Sequence, residues 1–283
     1  IKYNQEGEFL GEVEMPNGLP SGFYPLLTKE GMLVYEGTAF NANHQSQLYW
    51  LDEAKGKTGE IALPVVGNSE EIKPEEIQGI SVFGAGSTTV GLLGCNGAIM
   101  ISFKDDVKGL YPINYPAVWE MEDGFRLHET FSDTIYQVKG LELEPYHVFN
   151  LGDRRLALED RGKKEGYEDK LSITYVLETN HLIYFQCAKN LYGDFSFYNG
   201  VYQKSNGEVV MNKVEEAFTD DLTGFLPFTP IAHTGKDEFA GILTIEQIQK
   251  WQEEHPDAKL EGALVPLKDL DYDANPVVVI VEP

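Results

Sequence analysis

The sequence predicts an all-β protein assembled from many short strands, with one short helix near the C-terminus. Two observations carry this. Short segments rich in β-branched and aromatic residues recur along the whole chain, and glycine-containing turn signals separate them. Only one stretch, close to the C-terminus, shows helical spacing instead.

The clearest strand segments run in order. Gly31 to Tyr35 (GMLVY), Gln47 to Leu51 (QLYWL) and Gly59 to Leu63 (GEIAL) come first. Ala98 to Phe103, Asp133 to Val138, Leu171 to Leu177 and His181 to Cys187 follow. Phe195 to Gln203, Glu208 to Met211, Phe239 to Leu243 and Pro276 to Val281 complete the clear set. With weaker candidates the total is about twenty strands, or about five blades at four strands per blade, the texture of a β-propeller. A faint internal echo sets FRLHETFSDTIYQV beside TYVLETNHLIYFQC, each with a Glu-Thr pair before an aromatic-rich strand.

Asn-Gly pairs at Asn17-Gly18, Asn96-Gly97, Asn199-Gly200 and Asn206-Gly207 read as tight turns, because both residue types tolerate the positive φ such turns need. In KSNGEVV, Ser205-Asn206-Gly207 reads as the turn of a hairpin. The polar segments Asn68 to Glu76 and Asp160 to Lys170 read as solvated loops.

The helix begins at Thr244, with Gln247 three residues on in capping-box position, and Pro256 ends it after His255. Ile245, Ile248 and Trp251 share a face, so it packs on a sheet.

The chain has 283 residues, 42% of them hydrophobic, enough for a sizeable core. Its uniform strand-and-turn texture predicts a single domain over residues 1–283, truncated at the N-terminus, because Ile1 falls inside what reads as a strand. The 46 acidic residues outnumber the 22 basic ones, for a formal net charge of −24. Such a surface repels phosphate backbones and anionic lipid, so no nucleic-acid partner is expected. No apolar run reaches the roughly 18 residues of a transmembrane helix. Cys95 and Cys187 lie in apolar stretches and read as buried thiols, a disulfide between them staying open.

Signatures of chemistry are sparse. The six histidines form no HExxH, and there is no Cys-x-x-Cys, GxSxG or phosphate-binding loop. In FGAGSTTVG the third glycine falls outside the dinucleotide register, and the segment reads as a turn. Asp105-Asp106 and Asp220-Asp221 read as turn residues, and Asp269, Asp271 and Asp273 lack the glycine and final glutamate of a calcium loop. The most binding-like segment is FNANHQSQLYW, where Asn41, Asn43, His44 and Gln47 sit beside Trp50. Amides beside aromatic rings suit sugar or peptide recognition at a rim, the alternative being an ordinary polar hairpin loop.

Three stretches resemble the Bacteroidetes-type six-bladed β-propeller lipoproteins (an NHL/TolB-like propeller of unknown function). The first carries Phe131, Asp133, Thr134, Ile135, Tyr136, Val138, Leu143, Pro145, Tyr146 and Gly152. The second carries Asp220, Asp221, Gly224, Phe228 and Pro230, and the third Asp273, Asn275, Pro276, Val277, Val278, Val279 and Ile280. The resemblance covers residues 125–283 well and the first half poorly. It implies six blades and export to the cell envelope of a Gram-negative bacterium, as a periplasmic or outer-membrane lipoprotein. The membrane is then reached only through an N-terminal lipid anchor outside this chain. Together with the sparse signatures of chemistry, it leads to the expectation of a binding or scaffold module for a glycan, a peptide or an envelope protein, with no cofactor unless calcium is bound. A calcium-dependent hydrolase or lactonase with its site in the central channel is the alternative, by analogy of fold alone.

Overall fold

The structure, a computed structural model, describes residues 2–4, 6–12, 22–28, 31–37, 47–52, 55–64, 74–84, 97–104, 108–113, 117–129, 132–156, 168–190, 196–213, 220, 222–227, 229–234 and 237–282. Twenty strands form six small antiparallel sheets among them. β1 (Lys2–Tyr3) pairs with β2 (Phe9–Gly11). β3 (Gly22–Thr28), β4 (Gly31–Gly37), β5 (Gln47–Asp52) and β6 (Gly56–Ile61) form a four-stranded meander. β7 (Ile77–Gly84), β8 (Gly97–Phe103) and β9 (Lys108–Ile113) form a three-stranded one. β10 (Ala117–Met121), β11 (Gly124–His128), β12 (Thr134–Lys139) and β13 (Glu142–Val148) form the next four-stranded sheet. It is followed by β14 (Leu171–Glu178), β15 (Leu182–Lys189), β16 (Ser196–Gln203) and β17 (Val209–Lys213). β18 (Ala232–His233), β19 (Phe239–Leu243) and β20 (Val277–Val281) close the series.

In each sheet, strands follow one another in chain order, the up-and-down meander from which propeller blades are made. The expected strand number and sheet type are therefore met. Six four-stranded blades are not seen among the described residues: three sheets have four strands, two have three and one has two. A strand of two residues such as β18 fixes too few ladder bonds to complete a blade.

The chain divides into two compact units. The first comprises residues 1–85, 96–175 and 188–195, the second 86–95, 176–187 and 196–283. The core of the first joins Leu33, Tyr35, Leu48 and Ile61 with Phe125, Leu127 and Val138. Trp50 packs edge-on to Phe125 at 5.7 Å in the same cluster. Alternation along β11 turns Phe125 and Leu127 to this core and Arg126 and His128 the other way. Arg126 is nevertheless buried, its guanidinium 3.9 Å from the Tyr146 ring centroid and 2.7 Å from the Asp123 carboxylate.

In the second unit, α1 (Ile245–Glu254) packs as its sequence predicts. The Gln247 backbone N–H donates to Thr244 Oγ1 at 3.2 Å, and the Thr244 N–H donates to Gln247 Oε1 at 2.8 Å. Ile245 and Ile248 are buried among Phe225, Leu243 and Leu267, and Trp251 meets Phe225 edge-on at 4.7 Å. A 3₁₀ segment, Gly262–Asp269, supplies Leu267.

The hairpin at Asn206-Gly207 forms as read: Gln203 N–H donates to Glu208 O at 2.9 Å, and Gly207 has φ 76°. The Asn199-Gly200 pair is a correction, because it lies inside β16 rather than in a turn. Gly200 is there because the Phe185 ring occupies the space a side chain would need. Of the other two pairs, Asn17-Gly18 and Asn96 lie outside the described residues.

Candidate functional site

The residues resembling known propellers do structural work. Ser132 Oγ accepts from Thr134 N–H at 3.1 Å, Thr134 Oγ1 donates to Asp133 Oδ1 at 3.0 Å, and Arg155 Nε reaches the other carboxylate oxygen at 2.6 Å. Asp220 Oδ1 accepts the Leu222 and Thr223 N–H groups at 3.0 Å each, with Gly224 at φ 66° closing the turn. Burial works to raise the Asp220 pKa, but the Thr223 hydroxyl and the backbone N–H groups of Thr223, Leu222 and Phe225 outweigh it and hold the carboxyl low. Phe131, Asp221 and Phe228 lie outside the described residues.

Of the binding segment read from sequence, Asn41, Asn43 and His44 lie outside the described residues. Gln47 opens β5 and its Oε1 accepts from Lys57 Nζ at 3.1 Å. Trp50 packs on Phe125 and its indole N–H donates to Gly140 O at 3.3 Å. Cys187 is a free, buried thiol whose pKa burial pushes up to about 12, so it stays protonated and unreactive. Cys95 lies outside the described residues.

A different set of residues converges in the second unit. Three turns meet: the β14–β15 turn with Glu178 to His181, the β16–β17 turn with Lys204, and the β18–β19 turn with Asp237. At their base Glu178 is 1% exposed. Lys204 Nζ donates to Glu178 Oε1 at 2.5 Å and to Thr179 O at 2.7 Å. The Lys204 N–H donates to His181 O at 2.9 Å, so the lysine ties one turn to the other through side chain and backbone together. Thr179 Oγ1 accepts the His181 and Leu182 N–H groups at 3.3 and 3.1 Å, which shapes the turn locally.

On this base stands a second pair, its histidine exposed and its aspartate half-buried. His181 Nε2 lies 3.1 Å from Asp237 Oδ2, with the His181 side chain 70% exposed. The other Asp237 oxygen accepts the Asn180 N–H. Asp237 has φ 68°, a left-handed conformation that aspartate tolerates better than most residues. Its carboxylate is thus aimed back across the gap at two successive residues of the neighbouring turn. Asn180 is exposed beside the imidazole. His233 on β18 is half-buried, and burial lowers its pKa against the opposing charge of Glu178.

This arrangement holds an imidazole against a carboxylate, with the exposed residue Asn180 next to the histidine in the same turn. That suits hydrogen bonding to hydroxyl or amide groups of a ligand. Among the described residues no group of three or more His, Cys, Asp or Glu side chains could hold a metal ion. No described helix is long and apolar enough to cross a membrane.

The sequence carried one signal for this site, the Glu-Thr echo. Its two glutamates are both buried and both engaged: Glu129 accepts Tyr35 Oη–H at 3.0 and 3.1 Å, and Glu178 takes Lys204. The echo is not a blade repeat, because Glu129 follows the second strand of its sheet and Glu178 ends the first.

The fold thus defines an all-β protein of small meander sheets of the blade type. By its sequence the chain belongs to the family described as domain of unknown function DUF4934, whose model matches residues 1–282. Among curated proteins none matches it. A solved structure of a candidate exported protein from Bacteroides fragilis is similar at 14% identity and a TM-score of 0.45, covering 99% of this chain and 83% of that one. A likeness of that size assigns no function to this chain.

Proposed function

We propose that this chain is a single β-propeller of the exported lipoprotein type that binds a glycan, a peptide or an envelope protein through the turn surface of Asn180, His181 and Asp237. The observation that carries the binding reading is the His181–Asp237 pair, an exposed imidazole oriented by a half-buried carboxylate, standing on the buried Glu178–Lys204 pair. Rigid support beneath exposed polar groups reduces what ordering costs on binding. Export rests on the motifs in residues 125–283. The segment of Asn41, Asn43 and His44, close to Gln47 and Trp50 in sequence, is a second candidate of the same chemistry.

The test is calorimetric titration of the purified chain with a panel of bacterial and host oligosaccharides and of extended peptides. A saturable ligand whose binding is lost in both Asn180→Ala and His181→Ala, with unchanged melting temperature, supports the turn surface. Loss in Asn43→Ala and His44→Ala instead moves the site to the loop. Binding untouched by all four variants overturns the assignment. This reading needs no resident cofactor, so chelation should leave the melting temperature unchanged. Tightly held calcium whose removal lowers that temperature would support the channel-centred hydrolase instead.

A further inference from the structure

We propose that the open edge of β20 takes up an extended segment of a partner protein as a fourth strand, apolar at alternate residues and carrying Lys or Arg at its ends. This surface is separate from the polar turns and does not depend on them.

β20 pairs with β19 on one side, from Leu243↔Val277 to Phe239↔Val281. Among the described residues no backbone hydrogen bond reaches it from the other side. In a two-sided ladder every residue's N–H and C=O find partners, so a strand paired on one edge leaves alternate residues unsatisfied except by water. The strand's two faces differ. Val277 and Val279 turn toward the cluster of α1 and Leu243. Val278 and Ile280 turn away and are 62% and 48% exposed. An added strand with apolar side chains at every second position would extend that exposed stripe, while its backbone completed the ladder.

The composition of β20 sets it apart from the strands that end the other larger sheets. Those carry residues that deter pairing: Lys57 in β6, Pro112 in β9, Glu144 in β13 and Lys213 in β17. β20 reads VVVIV, with no charge, proline or glycine. Charge specifies the partner. The exposed carboxylates of Asp271 and Asp273 precede the strand and Glu282 follows it, so each end of the edge is acidic. Two copies paired there would juxtapose like charges on chains of net charge −24, whereas a segment with basic ends meets opposite charge at both.

The experiment uses the whole chain and a fluorescein-labelled Lys-Val-Thr-Val-Thr-Val-Lys peptide, followed by anisotropy. Saturable binding that weakens as salt rises is expected. Ile280→Glu should weaken it about tenfold or more, although an added glutamate by itself attracts the basic peptide. The Asp273→Asn, Glu282→Gln double variant should weaken it at low salt only. Val210→Glu on β17 should leave it unchanged. Circular dichroism checks that each variant folds. Absence of saturable binding, or equal loss in Val210→Glu, overturns the proposal. So does a concentration-dependent dimer abolished by Ile280→Glu, which would assign the edge to a second copy.

Discussion

Gly200 lies against the ring of Phe185, so close that a β-carbon on Gly200 would collide with it. The two residues sit on neighbouring strands of one sheet, β16 and β15, and the ring fills the groove that the absent side chain leaves. Gly200→Ala is therefore expected to destabilise the protein by about 1–3 kcal/mol through overpacking, more than the about 0.4–1 kcal/mol it gains by stiffening the unfolded chain. Urea denaturation measures this. Adding Phe185→Leu should recover part of the loss, because the smaller side chain vacates the contested space. Equal stability of Gly200→Ala and the parent would show that the ring has room to move.

The Glu178–Lys204 pair is sealed, with side-chain exposures of 0% and 18%. Removing one partner deprives the other charge of its ion pair in the interior, so Glu178→Leu or Lys204→Met alone should cost about 3–5 kcal/mol. The double variant should lose clearly less than the sum of the two, because no lone charge then remains in the interior. A double-mutant cycle by denaturation gives the coupling, and additivity within error would mean that the pair does not act as a unit.

His128 is buried, with Nε2 held 3.0 Å from Ser132 O and with no hydrogen-bond partner at Nδ1 among the described residues. Burial lowers its pKa to about 4, opposed by the Ser132 carbonyl and the charge of Asp133. The native state thus binds this proton more weakly than the unfolded chain does. The contribution is fully present above the unfolded value near 6.5 and is lost as pH falls toward about 4. The difference amounts to about 3 kcal/mol. In His128→Gln, where the amide can still donate to Ser132 O, the stability curve between those limits should flatten. An unchanged slope would assign the acid sensitivity to other groups.

Asp237 combines a positive φ with a carboxylate used by two neighbours. The two roles separate by substitution. Asp237→Gly should keep the turn conformation and release His181, leaving stability within about 1 kcal/mol of the parent. Asp237→Val should cost more, because a β-branched residue is poorly tolerated at that φ. The His181 ring, followed by NMR, should become more mobile in both variants. A ring unaffected by either change would show that Asp237 does not orient it.

Much of the architecture was legible from local chemistry. α1 announces itself because its capping box, apolar face and terminating proline all act within twelve residues or so of one another. Strands such as β4, β5 and β19 were legible because β-branched and aromatic residues favour a pleated, half-buried surface wherever they lie. The same reasoning failed at Asn199-Gly200 and held at Asn206-Gly207. The dipeptide permits a positive φ but does not demand one, and the Phe185 ring recruits Gly200 into a strand for its lack of a side chain. The binding segment around Trp50 mixed two kinds of residue: the indole serves the core through Phe125, which no local pattern distinguishes from an exposed aromatic.

The sequence alone therefore determined the strand content, the helix and its cap, several turns and the acidic balance, all properties of neighbours a few positions apart. Tertiary structure alone decided the site. Lys204 lies 26 positions from Glu178, and Asp237 57 positions from Asn180, so they meet only once separate hairpins come together. It also decided which ionisable groups are buried, and that β20 is paired on one edge only among the described residues, because both depend on what the rest of the chain brings alongside.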